Sequence, residues 1–458
     1  MTEFRVEKDS LGEVKVPADA LYGAQTQRAI DNFNISGISL PFAFIRSVAL
    51  IKYCAAEANA ALGVLPKDKA DAIMQAALEV FEGHWQAQFP IDVFQTGSGT
   101  STNMNVNEVL ATLAKRRSNL DIHPNDDVNL GQSSNDVIPT AIQLSAARRI
   151  TRKLLPALEH LSHVIESKAS ELDTVVKTGR THLMDAMPLT LGQELRAWRS
   201  QIELAAERLE ALLPQLRALP QGGTAIGTGI NCHPDFAERF SQSMSDFTDQ
   251  PFTAAKNPFA GIAGQDIAVA TAGSVSSLAT AMMKISNDLR WMNSGPLAGL
   301  GEIYLPALQP GSSIMPGKVN PVIPEAVCMA SAQVLGNQTT INIAGQSGNF
   351  QLNVMLPLIA YNLLQSIELM TNSAYALADH CIASLVVNTE KLSEALALNP
   401  ILVTALNPVI GYNAAAAIAK KAYQEQRPIL DVAAEETDLS REKLEQLLDP
   451  SNLTQSKR

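Results

Sequence analysis

Aromatic residues make up only 5% of this 458-residue chain, and Lys plus Arg number 35 against 46 Asp plus Glu. The first scarcity argues against a β-sandwich, whose strands are built from aromatic and β-branched residues. Abundant Ala and Leu point instead to a mainly α protein. The second, a formal net charge of −11, argues against a nucleic-acid partner, because neutralising phosphates needs Lys and Arg clustered on one face. Cysteine is scarce too. Cys54, Cys232, Cys328 and Cys381 stand far apart with no CxxC pair, so neither a zinc site nor a disulfide framework is implied, and a reducing, cytoplasmic setting fits. The opening MTEFRVEKDSLGEV is charged from its third residue and lacks an apolar core or an Arg/Ser-rich amphipathic stretch. No export or transit signal is read there, and the mature chain is expected to start at this point.

Charge is absent altogether from Ala326 to Ile367, a stretch long enough to cross a bilayer. Asn and Gln recur through it, among them Gln333, Asn337, Asn342, Asn353 and Asn362, and each would need a partner in hydrocarbon. Buried protein is the better solvent, so no membrane is expected. A charge-free, Ala/Gly/Ser-rich helix suits a bundle surrounded by other helices, including those of neighbouring subunits. An oligomer is expected on that ground.

What is present, at 46% hydrophobic, suffices for a large core and, at about 150 residues per domain, for roughly three parts. These fall at 1–133, a mixed segment; 134–388, dominated by long helices; and 389–458, short helices punctuated by Asn-Pro and Asp-Pro pairs. Apolar residues at Leu191, Leu195, Trp198, Ile202, Ala205, Leu209, Leu212 and Leu216 alternate by four and three, the signature of a long bundle helix. Ile150, Leu154, Ala157, Leu161 and Val164 repeat it, with Pro156 placed to bend the helix. Asp266 to Arg290, and a stretch opened by Pro324 and Glu325, complete the set.

Three polar, Gly-rich connections are expected as loops: Gln95 to Asn107, His123 to Asp136 and Gln309 to Pro321. None is a nucleotide motif. The run from Gly311 to Val319 has one residue too many between its glycines and Val in place of Ser or Thr after Lys318, and neither Gly97–Thr102 nor Gly222–Gly229 spaces its glycines as a dinucleotide fingerprint requires. What the loops share is small hydroxyl and amide side chains, free backbone N–H groups and one cation, Lys318, a donor set suited to carboxylates. Turn and cap formation is the plainer alternative for any one of them. His182, in GRTHLMD, is positioned before the long helix, where an imidazole able to titrate near neutrality can serve as acid or base. The residues alone leave His182 and His123 between a structural and a chemical role.

Together GSSIMPGKVNP with Glu325 following, GRTHLMDAMP, GSGTSTNMNVNE and HPNDDVNLGQSSND resemble the fumarase/aspartase superfamily, the first being its signature loop. GEVKVP at 12–17, ALYGAQTQR at 20–28 and Gly317 make the chain similar to the class II fumarate hydratases. Aspartate ammonia-lyases, the second reading, share the scaffold but usually carry a different segment at 20–28 and Ala in place of Gly317. The resemblance implies a three-domain helical bundle, a homotetramer with active sites shared between subunits, and reversible anti hydration of fumarate to L-malate with no metal or organic cofactor.

The same resemblance implies roles for single residues. Ser312 is the base, Lys318 and Asn320 clamp the developing enediolate, and Ser313 and Val319 complete the loop's contact with substrate. His182, oriented by Glu325, handles water. Ser98, Gly99, Thr100, Ser133, Ser134, Asn135 and Thr181 hold the two carboxylates. His123, Pro124, Asn125 and Asp126 correspond to a secondary dicarboxylate site. Leu120 stands there where some relatives place an arginine.

Overall fold

A computed structural model describes residues 3–454; Met1 and Thr2, where the chain start was read, and residues 455–458 lie outside the described residues. The fold is mainly α and built on a bundle of long helices. The elements used below are, in chain order, β1 (Phe4–Asp9), β2 (Gly12–Pro17), α1 (Phe42–Ala61), α2 (Lys67–Glu82), α3 (Thr100–Ser118), α4 (Ser134–Arg149), α5 (Leu155–Glu171), β3 (Val176–Thr181), β4 (Met184–Thr190), α6 (Leu191–Leu216), α7 (Asp266–Met292), α8 (Val322–Gln346) and α9 (Leu356–Leu377). One helix among the described residues, α7, is long and apolar enough to cross a membrane. The charge-free stretch that raised the question from sequence is divided between α8 and α9.

The stripe on α6 is the one its periodicity predicts. Leu191, Leu195, Trp198, Ile202, Ala205, Leu209 and Leu216 are buried, each such side chain contributing about 2 kcal/mol of transfer free energy. One position differs: the penultimate buried residue is Leu213, with Leu212 only half-buried, because the helix advances by four there rather than three. Pro156 lies inside one uninterrupted helical stretch from Ser134 to Glu171, in the first turn of α5, and directly follows a single π turn, Ile150–Leu154, the kind of irregularity that accommodates a residue without an N–H. Pro324 likewise lies in the first turn of α8, which begins at Val322 rather than at the proline.

Packing groups the chain into two compact units. The first comprises Met1–Pro156, Ala205–Ala279 and Ala332–Met370. Within it α1 is buried on almost every side, and β1 and β2 form an antiparallel hairpin. The second comprises Ala157–Leu204, Thr280–Ser331 and Thr371–Arg458. It contains the antiparallel pair β3–β4 and a separate core in which Leu396, Leu406, Ile418, Val432 and Leu444 are buried together. Val176, at the start of β3, packs on that core.

Candidate active site

In the first unit, the segment expected as a loop from Gln95 to Asn107 is a loop only to Gly99. Helix α3 starts at Thr100, after Gly99 in the left-handed region at φ +71°. A Cβ on Gly99 would lie 2.9 Å from Ile138, so glycine is required there for conformation and for space. The Ser/Thr/Asn-rich sequence becomes helical because its polar side chains find tertiary partners. Thr102 donates through its N–H and hydroxyl to Gln95 Oε1 at 3.0 and 2.8 Å, and Asn105 Nδ2 donates to Gln88 O at 2.9 Å. The hydroxyls of Ser98 and Thr100 are 2.9 Å apart at the helix start.

Helix α4 begins with a capping box. Ser133 Oγ accepts from the Asn135 N–H at 3.2 Å and Asp136 Oδ1 accepts from the Ser133 N–H at 2.9 Å. Asp136 is fully buried, and its second oxygen accepts from the N–H groups of Gly222 and Thr224 at 3.0 and 2.9 Å. Burial pushes this carboxyl up to about 6, against the pull of those N–H donors and of Lys52. Asn135 Nδ2 donates to Ala225 O at 2.8 Å. Asn103, one turn into α3, donates to Ser134 Oγ at 3.1 Å and so joins the two helix starts. Two helix N-termini carrying five small hydroxyl or amide side chains form a surface suited to an anion.

His123 closes the turn that precedes α4. Its Nδ1 accepts from the N–H groups of Asn125 and Asp126 at 3.3 and 3.2 Å, which caps the single π turn Pro124–Val128 and leaves the ring proton on Nε2. Lys69 is held to Asp127 at 2.9 Å, and Lys115 to Asp121 at 3.0 Å.

In the second unit, the signature loop is a real loop tied at its neck. The Gly311 N–H donates to Lys318 O at 2.8 Å and Asn320 Nδ2 to Gly311 O at 2.7 Å. Inside the loop Ser312 Oγ accepts from the N–H groups of Ile314 and Met315 at 3.2 and 2.9 Å. Residues 313–319 are exposed, Ser313 among them. Lys318, Val319, Asn320 and Glu325 line a cavity of about 780 Å³ together with Asn287 and Arg290.

His182 does not sit on a connection into α6. It and Leu183 are the two turn residues of the β3–β4 hairpin, at φ +57° and +63°, with Thr181 paired to Met184 across the strands. Two consecutive positive values make a type I′ hairpin turn, usually Asn-Gly. A β-hairpin that spends leucine and histidine on that turn carries backbone strain of about 1–3 kcal/mol per residue. Both residues are exposed, and Thr181 lines a second cavity of about 620 Å³ beside the hairpin.

The hairpin is anchored by charges that sequence reasoning missed. Lys177 on β3 is buried and donates at 2.8 Å both to Glu194 on α6 and to Glu302; Arg180 bonds the other oxygen of Glu302. Burial pushes the Glu302 carboxyl up, but the Arg180 and Lys177 bonds outweigh it and hold the group below its ordinary value. Asn399 adds a bond to Ala186 O on β4 at 2.9 Å. Among the described residues no hydrogen bond or ion pair joins His182, Ser312 and Glu325 to one another within the chain, and no group of three or more His, Cys, Asp or Glu is placed to hold a metal ion.

Comparison with known proteins supplies the context. A family model described as "Lyase" matches residues 12–336, and one described as "Fumarase C C-terminus" matches 402–455. Fumarate hydratase class II 2 of Pseudomonas aeruginosa is 60% identical over 99% of this chain and 99% of its own. The Xylella fastidiosa fumarate hydratase class II is 59% identical over 99% and 96%. Among solved structures, recombinant class II fumarase from Schistosoma mansoni matches with a TM-score of 0.96 at 41% identity, over 99% of each chain.

Proposed function

The chain belongs to the class II fumarate hydratases, a lyase family, and from that premise we propose how its residues divide the work. The reaction is the reversible hydration of fumarate to L-malate, and the substrate is a small dicarboxylate. Starting from malate, Ser312, as alkoxide, takes a proton from the carbon beside one carboxylate. The electron pair moves into that carboxylate as an enediolate, the hydroxyl on the neighbouring carbon leaves with a proton delivered through His182, and fumarate and water result. Run backwards, His182 takes the proton of the attacking water and Ser312 returns the carbon proton.

The observation that carries this reading is the cradle around Ser312. A serine hydroxyl is too weak an acid to serve as base unless its alkoxide is stabilised, and the two loop N–H groups aimed at its Oγ supply fixed dipoles for that charge. Lys318 and Asn320 follow on the same loop, placed to clamp the enediolate, with Ser313 and Val319 beside them. Glu325, in the first turn of α8 and on the wall of the same cavity, orients the imidazole. Ser98, Gly99, Thr100, Ser133, Ser134 and Asn135 hold the carboxylates from two helix starts, with Thr181 on the His182 hairpin. The strain at His182 and Leu183 supports a chemical role for that turn, since an unstrained sequence would serve a purely structural one.

We assign the working form as a homotetramer whose active sites draw on several subunits. Support comes from α8: Val327, Val334, Ile341 and Ala344 are buried, whereas the uncharged opposite side exposes Met329 at 69%, Leu335 at 37% and Ile343 at 53%. The parting of His182 from Glu325 within one chain fits the same assignment. The free cysteines and acidic balance support a cytoplasmic setting, and the separate core around Leu406 and Val432 supports 389–458 as the last of three domains. We keep His123, Pro124, Asn125 and Asp126 as a secondary dicarboxylate site of modest affinity, because the neighbouring cations Lys69 and Lys115 are already paired.

Loss of fumarate absorbance near 240 nm, in the presence of a chelator, tests the reading. Hydration of fumarate with no fumarate released from aspartate is expected. Release from aspartate at a comparable rate would favour the ammonia-lyase reaction instead.

A further inference from the structure

Lys52 lies in the middle of α1 and is 0% exposed, among the largest fully buried side chains of the chain. Taking an ammonium out of water costs several kcal/mol, and buried charges are ordinarily paired. Among the described residues no ion pair offsets this one. Its nitrogen instead donates to two neutral amides, Asn129 Oδ1 at 2.8 Å and Gln132 Oε1 at 3.0 Å. Burial pushes the ammonium down to about 7, with Asp136 holding it up from a distance.

The two acceptors belong to the turn that delivers α4. Asn129 Nδ2 donates to Gln132 O at 3.1 Å, so the turn from 129 to 132 is closed on itself, and the next three residues are Ser133, Ser134 and Asn135. Asn129 Oδ1 also accepts from Asn103 and Asn107 on α3, at 3.1 and 3.2 Å. Asn103 in turn donates to Ser134 Oγ. One ammonium thus sits at the node where the turn, the start of α4 and the second turn of α3 meet, all within the first unit. An amine with two or more N–H bonds holds both amide oxygens at once, which suits it to fixing a geometry.

We propose that Lys52 is a positioning residue for dicarboxylate binding, setting the spacing between the Ser98–Thr100 and Ser133–Asn135 helix starts through Asn129, Gln132 and Asn103. This rests on the reading that those two helix starts hold the substrate carboxylates. Such contacts act equally on ground state and transition state, so loosening them raises KM and leaves kcat nearly unchanged. A purely structural lysine, when removed, lowers thermal stability or the amount of active protein without that split.

The test measures KM and kcat for fumarate and the inhibition constant of succinate, an unreactive dicarboxylate, in the Lys52→Met protein, with Thr100→Val as reference. Lys52→Met is expected to raise KM and the succinate constant at least about tenfold with kcat within about threefold, following a change in uniform binding. If Thr100→Val raises both constants and Lys52→Met raises neither, the positioning role is wrong while the carboxylate reading stands. If Thr100→Val changes neither constant, the carboxylate reading fails and the proposal with it. If Lys52→Met lowers only kcat or only the melting temperature, the role is structural and the proposal is overturned. Should Lys52→Met not fold, Gln132→Met removes one of the two acceptors at a half-buried position. It is expected to raise the succinate constant at least about threefold, and an unchanged constant there overturns the proposal.

Discussion

Replacing Glu302 tests how the hairpin that carries His182 is held. The carboxylate is 4% exposed and receives Lys177 at 2.8 Å on one oxygen and Arg180 on the other. In Glu302→Leu, Lys177 keeps Glu194, whose side chain is 24% exposed, and the weak acceptor Met292 Sδ at 3.4 Å, while Arg180 loses its partner. Breaking a buried pair by removing one member typically costs about 3–5 kcal/mol, because the other charge stays buried without compensation. Glu302→Gln retains one acceptor oxygen, so its cost should be about 2 kcal/mol. Urea unfolding followed by circular dichroism measures both, and the order wild type, Gln, Leu is expected. Activity should fall alongside, since β3 sets the position of the His182 turn. The pH dependence has a definite sign. The Glu302 carboxyl titrates below its ordinary value of 4.5, so its stabilisation is fully present above that pH and is lost as the pH falls through the lower, folded-state value. Glu302→Leu should therefore unfold with a weaker acid dependence than wild type. A Leu variant within about 0.5 kcal/mol of wild type would refute the argument that the ion cluster anchors the hairpin.

Two further substitutions address the loops directly. His182→Asn should lower kcat by at least about a hundredfold while the melting temperature stays at or rises above the wild-type value, since asparagine suits the type I′ turn and an exposed turn residue carries acid–base work rather than packing; steady-state rates in both directions decide it. Gly311→Ala would place a Cβ 2.4 Å from Lys318 O, preventing closure of the loop neck. A loss of kcat/KM of at least about tenfold is expected from misplaced Ser312, with circular dichroism unchanged, and wild-type kinetics would show that the neck bond does not shape the loop.

The sequence was most legible where one periodicity decides the structure. The α6 stripe was read to within one residue, the slip from Leu212 to Leu213 reflecting a local choice between three- and four-residue steps that pattern alone leaves degenerate. The Gln309–Pro321 loop was legible because its glycines and prolines exclude regular structure. The start of α3 was misread because Ser, Thr and Asn are poor helix formers by propensity, and here their side chains are satisfied by Gln95, which the preceding loop folds back onto the helix, and by Gln88 and Ser134, which lie outside the segment. The β3–β4 hairpin was missed for a related reason. Its strands carry Lys177, Arg180 and Asp185, and the burial that makes a strand of them depends on Glu302, more than a hundred residues away. Lys52 gave no signal at all, since a lysine in an apolar helix ordinarily extends its amine to water.

The central claim is that Ser312, cradled by the N–H groups of Ile314 and Met315, is the group that removes the carbon proton. The most direct measurement is the steady-state rate of Ser312→Ala in both directions, together with the inhibition constant of succinate. A fall in kcat of at least about a hundredfold, with succinate binding within about threefold of wild type, is what a base that acts only in the chemical step predicts. Turnover within about threefold of wild type would contradict the assignment and require another group to take the proton.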